Sequence, residues 1–193
     1  MSLSELSRSG LLTALIAVLA RLSIPLPFSP VPVTGQLIGV LLAGVLLGGK
    51  NSFFAVLSYL MLGAAGAPLF SYGLGGPGIL FGPSGGYLWG FLPGVFICGK
   101  LLENERAPRF PRTAAAMLGC LGCTYLGGTV QLALVMGFGA AEAVLAGVLP
   151  FLPADLLKIA FAATVGARLK KSITPNVPLP SPPAGQSTGG KLR

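Results

Sequence analysis

The segment 150–171 has the composition of a membrane helix but carries Asp155 and Lys158 in its interior. On translocon scales an Asp or Lys at mid-membrane is unfavourable by roughly 2.5–3.5 kcal/mol, so the pair costs about 5–7 kcal/mol unless compensated. Because they are three residues apart, the two side chains share one helical face. If Arg168, Lys170 and Lys171 mark one membrane–water interface, Lys158 lies about 15 Å away from it, near the membrane midplane. Two interpretations stay open: an internal ion pair that holds helices together, and a ligand or ion site.

The composition excludes a soluble protein. Mean hydropathy is +0.81 and only 9% of the 193 residues are charged, whereas soluble chains carry about 25%. We therefore expect an integral membrane protein with one domain over residues 1–171. The segment 172–193 is rich in Pro, Gly and Ser and predicts a disordered cytoplasmic tail. Net charge is +8, but the basic residues cluster at segment ends and no nucleic-acid motif is present, so we expect the lipid bilayer and no nucleic acid as partner.

Catalytic and metal-binding residues are scarce in the sequence. Histidine is absent, which removes the commonest metal ligand and general base together. The lone CxxC of Cys120 and Cys123 lacks the second pair that a zinc site requires and favours small packing residues. The stretch 44–51 nearly matches a nucleotide-binding loop, but it lies in a membrane helix and Asn51 replaces the Mg²⁺-binding hydroxyl. We predict no metal, no cofactor, no ATP hydrolysis and no enzyme activity.

Six apolar segments predict an all-α membrane protein, a six-transmembrane-helix bundle. The segments are 6–24, 37–48, 53–66, 85–102, 113–138 and 142–169, the last with a proline break. The second and third are short for a span and need flanking residues to extend them. Basic residues fall at the two ends of the chain and in the second-to-third and fourth-to-fifth loops, which all lie on one side of a six-span protein. Only Arg21 lies near the loops of the other side. The positive-inside rule therefore predicts that both termini are cytoplasmic.

Two unusual loops fall on the predicted outer side. The segment 25–36 contains four prolines, which exclude a helix and favour extended backbone; it is either a lid over a cavity or a rigid connector. The segment 68–86 is long, uncharged and rich in glycine. Non-helical backbone at membrane depth must be buried in protein or line a cavity, so we expect this loop to re-enter. Together with the Asp155 end of the last span, the loops predict one outward-facing cavity.

The first span carries a stripe of small residues at Gly10, Ala14 and Ala17. Small residues at three- and four-residue spacing let another helix approach closely. The pattern leaves open whether that helix belongs to this protein or to a second membrane protein.

Five stretches of the chain carry a family resemblance. They are IPLPFSPVPVTGQ at 24–36, LAGVLLGGK at 42–50, YLMLGAAGAPLF at 59–70, LFGPSGGYLWGF at 80–91 and PADLLK at 153–158. In this order they closely resemble the BioY family, the biotin-specific substrate-binding (S) component of energy-coupling factor transporters. The resemblance implies a prokaryotic cytoplasmic membrane protein that binds biotin near its outer face. It also implies a coupling transmembrane subunit and two cytoplasmic ATPases as partners, with biotin as a transported ligand and not a prosthetic group.

The resemblance also implies roles for individual residues. Asp155 would accept hydrogen bonds from the ureido N–H groups of biotin, and Lys158 would pair with its carboxylate. The glycine-rich loop and the lid supply the other predicted binding residues: Tyr72, Phe81, Gly82, Ser84 and Tyr87, and Val33, Thr34 and Gln36. The first helix would dock on the coupling subunit through Gly10, Ala14 and Ala17. Two alternatives stay open, an S component for another small vitamin-like acid and a membrane scaffold in which Asp155 and Lys158 only pair.

Overall fold

The computed structural model describes residues 3–27 and 29–173, which form a helical bundle with one small hairpin. The helices are α1 (Leu3–Ala20), α2 (Gln36–Leu47), α3 (Gly49–Ala64), α4 (Pro77–Phe81), α5 (Gly85–Leu102), α6 (Phe110–Met136), α7 (Ala140–Gly147) and α8 (Leu152–Ile173). The hairpin consists of β1 (Ser23–Leu26) and β2 (Ser29–Thr34), and a 3₁₀ turn spans Ser71–Gly73. Of the predicted tail, residues 174–193 lie outside the described part of the chain.

Helices form at all six places where the sequence predicts spans. By length and apolar composition, α1, α5 and α6 can each cross a membrane. Helices α7 and α8 meet at an angle of 52° and together make a fourth candidate. Helix α2 has 12 residues and α3 has 16, both short for a bilayer. The described residues therefore establish a mostly helical protein with three to four candidate spans, and the six-span count stays a prediction.

Helix α2 lies at the centre of the bundle. Its sequence QLIGVLLAGVLL is apolar on every face, as expected of a helix surrounded by other helices. It packs against α1, α3, α5 and α8, and its residues Val40, Leu41 and Ala43 have no exposed surface. Gly48 ends the helix with a φ of +76° and turns the chain directly into α3.

The most extensive interface joins α5 to α6 through glycines. On α5, Gly86, Gly90 and Gly94 recur every four residues and therefore share one face. A Cβ atom at Gly90 would lie 2.7 Å from the backbone oxygen of Cys123, and one at Gly94 would lie 2.8 Å from that of Cys120. Such close approach matters because helices in lipid associate by packing and not by excluding water.

The hairpin departs from the all-α prediction. Strands β1 and β2 pair antiparallel, with Ile24 opposite Val33, and α1 consequently ends at Ala20, before the predicted end at residue 24. The prolines of this segment exclude a helix, as the sequence indicates. They fit a two-stranded hairpin because each strand is an edge strand, where a missing N–H need not break the pairing. The pairing gives partners to backbone groups that lipid would leave unsatisfied.

At the opposite end of the bundle, the last turn of α8 is tied to the end of α5. Lys170 is buried, and its ammonium group donates to the backbone oxygen of Leu102 at 2.5 Å. A lysine commonly satisfies carbonyl groups that the last turn of a helix leaves without partners. This bond connects the helix that carries Asp155 and Lys158 to the far end of α5.

Substituting Gly90 by alanine is expected to destabilise the bundle, because the new methyl group must push α6 away. Overpacking of this kind costs about 1–3 kcal/mol, which a lower melting temperature in detergent would report. The matched control is Gly122→Ala on the exposed side of α6, where no atom lies within 4 Å of the new Cβ. There the better helix propensity of alanine should leave the melting temperature unchanged or raise it. Equal melting temperatures for the two variants would contradict the packing described for α5 and α6.

Candidate functional site

A cavity of about 200 Å³ lies where the hairpin, the glycine-rich segment and the beginning of α8 meet. Seven of the predicted binding residues line it: Thr34, Gln36, Tyr72, Ser84, Tyr87, Asp155 and Lys158. Three others, Val33, Phe81 and Gly82, are not part of the lining. The two loops and the charged pair, which the sequence placed on one side of the membrane, therefore meet at one cavity.

Asp155 and Lys158 form an ion pair, and Asp155 also accepts a hydrogen bond from Tyr125. The ammonium of Lys158 lies 2.7 Å from Oδ1 of Asp155, and the hydroxyl of Tyr125 donates to Oδ2 at 2.8 Å. The Lys158 and Asp155 side chains are 14% and 10% exposed, respectively. Helix α8 begins at Leu152, with Pro153 in its first turn, where a missing N–H is tolerated. Asp155 lies in this first turn as well, where the helix dipole stabilises a negative charge.

Sequence reasoning missed Tyr125, although α6 carried a usable signal. Thr124, Tyr125 and Gln131 are polar residues in the second half of α6, and all three are turned towards the bundle. Thr124 and Tyr125 line the cavity. A polar group in a membrane helix needs a partner inside the protein, and this requirement could have directed attention to α6.

Tyr87 forms a rigid part of the cavity wall. Its hydroxyl donates to the backbone oxygen of Gly147 at 2.8 Å, which connects α5 to α7. Its ring lies against Gly128 of α6, where a side chain would overlap it. Tyr87 also packs with Val31 of the hairpin and Phe151 of the α7–α8 junction in a small apolar cluster. The hairpin therefore rests on the cavity wall, and its role as a lid stays a prediction.

The glycine-rich segment is held in place by α6. The side-chain amide of Gln131 donates to the backbone oxygens of Leu80 at 2.9 Å and Gly82 at 2.8 Å. The carbonyl of Gly82 is therefore used to anchor the loop, and the Phe81 side chain is 70% exposed. The indole of Trp89 also donates to Leu80, at 3.1 Å, and does not line the cavity.

Other aromatic residues complete the apolar wall. Phe91 on α5 and Phe151 line the cavity, together with Phe70 from the loop after α3. Tyr72 lines it from the 3₁₀ turn, is 51% exposed, and is the one non-glycine residue with positive φ in the described part of the chain. The cavity thus combines an apolar body with an amine, a carboxylate and a few hydroxyl and amide groups, as small-molecule sites do.

This arrangement suits binding better than catalysis. No group of three or more His, Cys, Asp and Glu side chains could hold a metal ion within residues 3–27 and 29–173. The amine of Lys158 can pair with an anionic group, and the carboxylate of Asp155 can accept from N–H donors. The site can therefore hold a small molecule that offers an anionic group to Lys158 and N–H groups to Asp155.

A second concavity of about 640 Å³ contains the stripe of small residues on α1. Gly10, Ala14 and Ala17 line it on one side, and Phe54 and Ser58 of α3 line it on the other. Gly10 and Ala14 are exposed. No other helix of the described chain covers Gly10 and Ala14, and whether the stripe faces a second membrane protein stays a prediction.

Comparisons with known proteins agree on one family. The model of the BioY family matches residues 1–175. The biotin transporter BioY of Thermotoga maritima is 40% identical, over 86% of this chain and 96% of its own. The biotin transporter BioY of Rhizobium etli is 38% identical, over 86% and 92%. A crystal structure of the S-component for biotin from an ECF-type ABC transporter superposes with a TM-score of 0.82 at 29% identity, covering 89% of this chain and 95% of that one.

The ion pair predicts a pattern of stabilities. Lys158→Met should lower the free energy of unfolding by about 3–5 kcal/mol, because the Asp155 side chain loses its ion-pair partner and keeps only the hydrogen bond from Tyr125. The double variant Asp155→Leu/Lys158→Met removes both charges and should recover most of the loss. Melting temperatures in detergent without added ligand would measure both effects. Lys171→Met, at the exposed far end of α8, is the control and should change nothing. A double variant no more stable than the single one would contradict the pairing.

Proposed function

Because this chain belongs to the BioY family, we propose that it is the biotin-binding S component of an energy-coupling factor (ECF) transporter and captures biotin with high affinity from the outer side of the membrane. The observation that carries the proposal is a partly apolar cavity in which one amine and one carboxylate lie side by side. The protein binds and delivers its ligand and is not an enzyme.

Each functional group of biotin has a proposed partner in this cavity. Lys158 would pair with the biotin carboxylate, and Asp155, held by Tyr125, would accept from the ureido N–H groups. The bicyclic body would lie against the apolar wall of Tyr87, Phe91 and the other aromatic residues. An ion pair in this sheltered site is stronger than one at a surface, because little solvent screens it. With Lys158 facing the ligand carboxylate, Asp155 would keep the hydroxyl of Tyr125 and the ureido N–H groups as hydrogen-bond partners.

The distribution of charge supports a six-span orientation with cytoplasmic termini. Helices α1, α2, α3, α5 and α6, and the bent pair α7–α8, would be the six spans, with the short α2 enclosed by its neighbours. Eight exposed basic residues lie at the ends remote from the cavity: Arg8, Lys50, Lys100, Arg106, Arg109, Arg112, Arg168 and Lys171. Within the described chain, Arg21, beside the hairpin, is the exposed basic residue at the cavity end. The positive-inside rule places these ends in the cytoplasm and the cavity on the outer side of the cytoplasmic membrane.

The proposed partners are a coupling transmembrane subunit and two cytoplasmic ATPases. The groove with Gly10, Ala14 and Ala17 is the proposed docking surface for a helix of the coupling subunit, because small residues permit close helix approach. Residues 1–171 would act as a single substrate-binding domain and 172–193 as a cytoplasmic tail. Biotin is the transported ligand, and we propose no cofactor.

The role of Lys158 can be tested with biotin and its uncharged carboxamide. Lys158→Met is expected to weaken biotin binding by about 100-fold, as expected when one partner of a buried charge pair is removed. Binding of the carboxamide should weaken by only about tenfold, since its oxygen accepts a hydrogen bond from Lys158 but carries no charge. A titration of purified protein measures both, and Lys50→Met, at an exposed lysine remote from the cavity, is the control. Equal losses for the two ligands would remove Lys158 from the carboxylate role, and a wild-type protein that binds no biotin would contradict the proposed function.

Leucine at Ala14 and Ala17 is expected to block assembly without affecting the ligand site. The larger side chains fill the α1–α3 groove, so complex co-purified with the coupling subunit and ATPases should fall by about tenfold or more. Biotin binding to the isolated variant should remain at the wild-type level, because neither position lines the cavity. Ala115→Leu, at an exposed position on α6, is the matched control and should assemble normally. Unchanged assembly of the α1 variant would exclude this groove as the docking surface.

A further inference from the structure

A buried hydrogen-bond chain begins at Gln36 and leads away from the cavity. The amide nitrogen Nε2 of Gln36 donates to the hydroxyl of Tyr59 at 2.8 Å, and that hydroxyl donates to the backbone oxygen of Leu69 at 3.1 Å. Gln36 is 3% exposed and lines the cavity, whereas Tyr59 is fully buried and does not line it. Tyr59 therefore lies behind Gln36 as seen from the cavity.

The direction of this chain follows from the chemistry of its last member. The carbonyl of Leu69 can only accept, so the single hydroxyl hydrogen of Tyr59 is committed to it. The hydroxyl oxygen must then accept from Gln36, and only the nitrogen end of the Gln36 amide can donate. An amide bound through its nitrogen on the Tyr59 side carries its oxygen, Oε1, on the cavity side.

Packing keeps the Tyr59 hydroxyl in this position. The ring of Tyr59 meets the ring of Phe70 edge to face, with centroids 5.5 Å apart. Phe70 is itself fixed against Gly63 of α3, where a Cβ atom would overlap its ring. Both aromatic side chains are almost completely buried, so the hydroxyl cannot turn away from Leu69 without disturbing this core.

We propose that Tyr59 is a positioning residue that sets ligand specificity: it holds the Gln36 amide with Oε1 towards the cavity, as an acceptor for an N–H group of the ligand. The inference rests on the proposed function, since the ureido ring of biotin supplies two such N–H groups. Gln36 accepts from one of them and Asp155 from the other. The hydroxyls of Tyr87 and Tyr125 donate their hydrogens to acceptors within the protein. Towards a ligand, these two hydroxyl oxygens can therefore act only as hydrogen-bond acceptors.

The test uses biotin and its two cyclic carbamate analogues, in which one or the other ureido N–H is replaced by a ring oxygen of similar size. In the wild-type protein, the analogue that places oxygen against Oε1 is expected to bind about 100-fold more weakly than biotin, because two acceptors then face each other. In Tyr59→Phe the Gln36 amide can turn and present its nitrogen to the ring oxygen of the analogue. The preference for biotin over this analogue should therefore fall by about tenfold. Titrations of the purified variants measure the ratio directly.

A double-mutant cycle separates positioning from general destabilisation. In a Gln36→Met background, Tyr59→Phe should leave the ratio of the two affinities unchanged, because the group that it orients is gone. A merely structural role for Tyr59 would weaken biotin and the analogue by the same factor in both backgrounds, and that result would overturn the inference.

Three further outcomes keep the test decisive. If Tyr59→Phe does not fold, Gln36→Met alone must lower the preference for biotin by about tenfold, and an unchanged preference overturns the inference. If the wild-type protein binds biotin and Tyr59→Phe keeps the full preference for biotin over the analogue, Tyr59 does not have the proposed role. That result leaves the proposed function intact. Wild-type protein that binds no biotin contradicts the proposed function instead.

Discussion

The pairing of Asp155 with Lys158 is the interaction on which the rest of the site depends. Neither charge could remain in an apolar bundle without a partner, and the 2.7 Å contact supplies one. Tyr125 uses the second oxygen of the carboxylate and so connects α6 to α8 at the cavity. At the wall of one cavity, the ammonium of Lys158 can bind an anion and the carboxylate of Asp155 can accept from N–H donors. The ion-pair and ligand-site interpretations of the sequence are therefore compatible.

Close backbone packing makes the cavity wall rigid enough to be specific. The glycines of α5 bring it against α6, and this contact positions Tyr87, Phe91 and Tyr125 on two adjoining helices. Gln131, from the same face of α6, fixes the carbonyls of the glycine-rich loop. Non-helical backbone can persist at membrane depth here because its polar groups bond to a neighbouring helix and not to water.

The sequence predicted the helices, the extended loop and most of the cavity, but not the partners within them. Asp155 and Lys158 were predictable because a charge in an apolar helix demands an explanation. The prolines predicted extended backbone, whereas the pairing of Ile24 with Val33 depends on register, which the prolines do not encode. Tyr125 was missed because an aromatic residue in a membrane helix also suits simple packing. Phe81 stands in a loop without periodicity, so its exposure could not be predicted from pattern.

Helix α8 carries the ligand-facing charges near one end and the Lys170 contact with Leu102 near the other. About 22 Å of unbroken helix separates Asp155 from Lys170, and a helix of this length moves as a stiff rod. A rotation of about 5° about the cavity end displaces the opposite end by about 2 Å, enough to break a hydrogen bond. Helix α8 therefore links the cavity mechanically to the end of α5: a displacement of its first turn is expected to strain the Lys170 contact with Leu102.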